Sequence, residues 1–60
     1  MTELHMARAE MLALRGDYQA AIDELIVARG TTKDRMTLAR LEARITELER
    51  AKKDLDSLKG

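Results

Sequence analysis

Proline is absent from this chain of sixty residues, and three glycines, Gly16, Gly30 and Gly60, are its only strong helix breakers. The intervening stretches are rich in Ala, Leu, Glu, Arg and Lys, so the pattern predicts three helices and no strands. The first is expected from about Glu3 to Arg15, with Thr2 as its N-cap and Gly16 closing it in a left-handed conformation. Asp17 is placed to cap the second, from about Tyr18 to Arg29, with Gly30 as its C-cap. A linker as short as Gly16-Asp17 forces the two helices to lie antiparallel and adjacent. Thr31 or Thr32 is expected to cap the third helix, and Thr31-x-x-Asp34 has capping-box spacing, weakened by the short reach of Asp. That helix meets no breaker before Gly60, which allows about 26 residues and roughly 39 Å.

Apolar spacing then assigns faces. Leu4, Ala7, Met11 and Leu14 form one stripe on the first helix, and Ala21, Ile22, Leu25, Ile26 and Ala28 supply the buried side of the second. Small residues at Ala9 and Ala21, around the run Gly16 to Ile22, let these helices cross closely. On the third, Leu38, Leu41, Ile45, Leu48 and Leu55 form a heptad-like seam with Lys52 at an expected apolar position. Its first half is expected to fold back over the hairpin. Ala51, Leu55 and Leu58 overhang it, and are the expected self-association surface, because a second copy could cover them. The chain therefore reads as all-α: a helical hairpin over residues 1–30 and a long C-terminal capping helix over residues 31–60.

Composition bears on function mainly by exclusion. Basic and acidic residues number eleven each, so no net field favours nucleic acid or an anionic membrane. Opposite signs interleave at helical spacing, as in Glu49 with Lys53 and Lys52 with Asp56, the pattern of a solvated face. No apolar run approaches the ~20 residues of a membrane span, and Met-Thr-Glu-Leu-His is not a signal peptide. Cys is absent, and His5 is the only histidine. A helical zinc site needs two histidines and a third ligand, so His5 reads as a packing residue. Glu3 and Glu10 read as solvent-facing, neither glycine belongs to a phosphate-binding loop, and the methionines Met6, Met11 and Met36 read as core filler. No catalytic residue, cofactor or metal is expected. Tyr18 is the sole aromatic, and a domain this small buries only roughly 60% of its unfolded surface, so packing against another chain or another domain is the expected remedy.

The small-residue pattern resembles the tetratricopeptide repeat. Ala9 stands at the small position of helix A, Leu12 at the usual Tyr, Ala21-x-x-x-Leu25 reproduces the Ala-x-x-x-Phe spacing of helix B, and Ala28 follows. His5 and Arg8 depart from the usual Trp and Leu, and Lys33 stands near the usual Pro, as in a degenerate terminal repeat. A narrower resemblance rests on three blocks: Ala7-Arg8-Ala9-Glu10-x-x-Ala13-Leu14-x-Gly16, Ala21-Ile22-x-x-Leu25, and Ala39-Arg40-x-x-Ala43-Arg44-Ile45-x-x-Leu48. In that order they resemble the C-terminal tetratricopeptide region of the β-barrel assembly-enhancing protease family, periplasmic zinc metalloproteases of Gram-negative bacteria. The resemblance implies a periplasmic, non-catalytic interaction module that docks the enzyme onto outer-membrane assembly machinery and its clients. The family's His-Glu-x-x-His and its zinc belong to a separate upstream domain, and the motif is missing here. By position, the resemblance implies Met6, Glu10 and Ala13 as partner-binding residues. The alternative from the seam is a small self-associating helical bundle, such as a homodimer, with a structural role.

Overall fold

Arg15, Gly16 and Asp17 turn the chain back on itself through hydrogen bonds that close a helix C-terminus in the Schellman manner. Gly16 N–H donates to the Ala13 carbonyl at 3.0 Å and Asp17 N–H to the Leu12 carbonyl at 3.0 Å. That geometry needs a left-handed residue after the cap, and Gly16 has φ +81°. Asp17 then caps the next helix by accepting from Ala20 N–H at 3.3 Å. In the computed structural model, which describes residues 1–59, the helices are α1 (Thr2–Leu14), α2 (Tyr18–Thr31) and α3 (Arg35–Lys59), with no strand among the described residues. Antiparallel α1 and α2 form the hairpin and the long α3 follows it, as the glycine spacing predicts. Gly60, the expected end of α3, lies outside the described residues.

Three boundaries differ from expectation. Thr2 is the first residue of α1 rather than its cap, which falls on Met1 without a side-chain bond. Thr2 Oγ1 instead pairs with Thr31 Oγ1 at 2.7 Å, tying the start of α1 to the end of α2. Gly30 is not a C-cap: α2 continues through it to Thr31, and Gly16 is the only glycine with positive φ among the described residues. Neither Thr31 nor Thr32 caps α3. Asp34 does, its carboxylate accepting from Thr37 N–H at 2.9 Å and from Thr37 Oγ1 at 2.6 Å. The carboxylate at residue 34, expected as the far half of a capping box, is itself the cap.

The core comprises Ala9 from α1, Ala21, Ile22, Leu25 and Ala28 from α2, and Leu41, Ile45 and Leu48 from α3, with Met6, Leu12, Ala13 and Tyr18 packed at its margin. Ala9, Ala21 and Ala28 have no exposed surface, so the helices approach where side chains are smallest. Both outer helices pack on α2, and α1 and α3 barely meet. The stripe Leu4, Ala7, Met11 and Leu14 is exposed, contrary to expectation. Ile26 is also exposed. At about 100° per residue, Ala9, Met6, Leu12 and Ala13 share one side of α1, and the expected stripe lies on the opposite side. The helix is apolar on two faces, and α2 covers the one that carries Ala9 and Ala13. The 25 residues of α3 span about 37 Å, matching the 39 Å long axis of the protein.

Candidate interaction surfaces

Between α1 and α3 runs a groove bridged at its middle by one ion pair. Arg44 donates from Nε to Glu10 Oε2 at 2.8 Å and from Nη2 to Glu10 Oε1 at 2.7 Å, a two-point clamp joining helices that otherwise scarcely touch. Arg44 also lies 3.5 Å from Glu47, one turn further on. Its hydrogen bonds hold the Glu10 carboxyl below the usual range, with partial desolvation opposing and the guanidinium charge reinforcing them. On one side of the bridge is a depression of about 360 Å³ bordered by Glu10, Ala13, Leu14, Tyr18 and Ala51. On the other is one of about 370 Å³ bordered by Glu3, Met6, Thr37 and Arg40.

The groove places the expected site residues. Glu10 and Ala13 share the first depression with Ala51, one of the residues expected to self-associate, and Met6 borders the second. Met6 and Ala13 are half-buried beside the core, while Glu10 is exposed and held by Arg44. Leu55 and Leu58 continue beyond the hairpin, Leu58 being 86% exposed. Lys52 does not leave the seam for Asp56. It lies half-buried and donates from Nζ to Gln19 Oε1 at 2.6 Å, which fixes α3 against the first turn of α2. Gln19 in turn donates to Asp23 at 3.0 Å.

His5 packs as expected and has a partner: its Nδ1 lies 2.7 Å from Glu24 Oε2, joining α1 to α2. No group of His, Cys, Asp and Glu side chains fit to hold a metal occurs among the described residues. None of their helices is long and apolar enough to cross a membrane.

Sequence reasoning did not find the outward face of α1 as a surface. Leu4 is 48% exposed, Met11 58% and Leu14 87%, with exposed Ala7 between them. Leu14 belongs to both this face and the groove wall. The signal was present as the coexistence of two apolar sets on one helix, Ala9 with Leu12 and Leu4 with Met11, which a single-stripe reading merges. Compared with family models, curated proteins and solved structures, the chain matches none.

Proposed function

We propose that this chain is a non-catalytic protein–protein interaction module that docks through apolar surface its own fold leaves uncovered. One observation carries the reading: α1 is apolar on two opposite sides and the chain covers only one, leaving Leu4, Met11 and Leu14 open to solvent. A helix built that way fits between two neighbours. Leu14 continues this face into the depression that Glu10 and Ala13 border, and Met6 lies further along the same groove, so these three form a second, adjoining part of the docking surface. The resemblance to the protease family supplies the setting: a periplasmic region that brings a zinc enzyme to the outer-membrane assembly machinery, the zinc being held elsewhere in the parent.

The test is binding of the purified chain to the isolated outer-membrane β-barrel assembly complex, read by surface plasmon resonance. Saturable binding is expected, and a Met11→Glu, Leu14→Glu variant of unchanged helicity should lose it. A folded parent chain that shows no binding at roughly 100 μM, well above the range of specific complexes, rejects this setting. The second reading, a small self-associating bundle, is favoured by the charges that flank the same face.

A further inference from the structure

The outward face of α1 has a register as well as an apolar character. Leu4 and Met11 are seven residues apart, as are Ala7 and Leu14, so they occupy the a and d positions of two heptads. Glu3 and Glu10 then fall at g, and Arg8 and Arg15 at e. Every one of these residues is exposed, so all eight positions are open to a partner. One flank of the face is acidic and the other basic.

We infer that this face is a homodimer interface on which α1 of a second copy lies parallel and in register, an inference that rests on the interaction reading above. Parallel helices bring g of one chain beside e of the following heptad on the other, which places Glu3 by the second copy's Arg8 and Glu10 by its Arg15, twice by symmetry. Antiparallel helices bring g beside g and e beside e, setting Glu against Glu and Arg against Arg. Charge complementarity therefore selects both the occupant and its direction. Glu10 is able to serve both partners, because a carboxylate offers about four lone-pair sites and Arg44 occupies two. Among the described residues α2 packs on the opposite side of α1 and α3 packs on α2, which leaves this face of α1 open to the approach. Two heptads with an alanine at one d position cover less than the ~800 Å² per partner of a standard interface, so the dimer is weak, with a dissociation constant on the order of hundreds of micromolar.

Sedimentation equilibrium of the full chain tests this with three variants. Ala7→Leu fills the small d position on an exposed face and should tighten association about tenfold or more. Arg8→Glu with Arg15→Glu makes both flanks acidic and should leave the chain monomeric and helical. Leu55→Glu with Leu58→Glu should leave association unchanged. Direction is read by cross-linking, since the chain has no Cys of its own: under oxidised glutathione, Leu14→Cys should pair with itself faster than the exposed control Ala43→Cys. Monomer at ~1 mM for both the parent and Ala7→Leu overturns the inference, as does association abolished only by the Leu55 and Leu58 changes. Cross-linking of Leu14→Cys with Leu4→Cys in preference to itself overturns the parallel arrangement. Binding to the assembly complex without self-association removes the second copy alone and leaves the interaction reading in place, whereas loss of both removes the two together.

Discussion

Ala21 has no solvent-exposed surface and sits in the same fully buried cluster as Ala9, Leu25 and Leu41. Replacing it with Leu adds three carbons where helices touch through their smallest side chains, and overpacking of that kind costs about 1–3 kcal/mol. A chain of sixty residues has roughly 3–9 kcal/mol of stability at ordinary values per residue, so the change removes a large share. For a domain of this size each kcal/mol lowers the melting temperature by about 4–8 °C, giving an expected drop of roughly 4–24 °C. Thermal melts followed by far-ultraviolet circular dichroism measure it, with Ala43→Leu on the exposed side of α3 as the control, expected within about 0.5 kcal/mol of the parent. An Ala21→Leu chain that melts with the parent, or a control that falls as far, would show that the core is loose enough to absorb the extra volume and that close crossing does not hold these helices.

Two glycine replacements should act in opposite directions on the urea midpoint. Gly16→Ala forces a side chain into φ +81° and is expected to cost about 1–2 kcal/mol, whereas Gly30→Ala inside α2 meets no atom within 4 Å and should gain about 0.4–1 kcal/mol. Acid should weaken the fold through Glu10, whose carboxyl titrates below its ordinary value of 4.5 because Arg44 hydrogen-bonds its charged form. A lowered folded value means that this stabilisation is fully present above the unfolded pKa and is lost as pH falls through the folded one. The pair is half exposed, which limits it to about 1 kcal/mol or less. Glu10→Gln should reduce the shift in urea midpoint between pH 7 and pH 3, and an undiminished shift would remove the ion pair from the account. Asp34, held low by its hydrogen bonds from Thr37, contributes with the same sign and remains in that variant.

Glycine and aspartate chemistry made the helices readable in advance, because Gly16 and Asp17 have few uses together other than ending one helix and starting the next. The buried residues of α3 followed from periodicity, since Leu41, Ile45 and Leu48 have mostly polar residues opposite them; on α2 the same reading found Ile22 and Leu25 but also took in Ile26, which is exposed. Periodicity failed on α1, where Leu4 with Met11 and Ala9 with Leu12 are equally regular stripes. The choice between them depends on which allows α2 to come close, a property of two helices together. Gly30 misled for a related reason: a glycine at the end of a helical pattern marks a cap only when the chain turns there, and here the helix runs on to Thr31 and leaves it at extended Thr32. The clamp between Glu10 and Arg44 joins residues 34 apart and depends on how α1 and α3 splay around α2, which no local spacing encodes. For the candidate site, the apolar residues were visible but their division between interior and surface was not.

Because both outer helices rest on α2 and hardly on each other, the one core that the three helices share is held together through α2. Losing α3 still leaves α1 paired with α2 across Ala9, Ala21 and the His5–Glu24 bond. Losing α1 leaves α2 and α3 joined through Leu25, Leu41 and Lys52. Partial opening from either side thus conserves about half of the packing, and native-state hydrogen exchange would divide into two independent classes around a slow central helix. The Glu10–Arg44 clamp is the side-chain link made directly between the two outer helices. Its weakness at low pH would let one flank breathe without loosening the other, so a partner that captures one outer helix need not wait for the remaining one to let go.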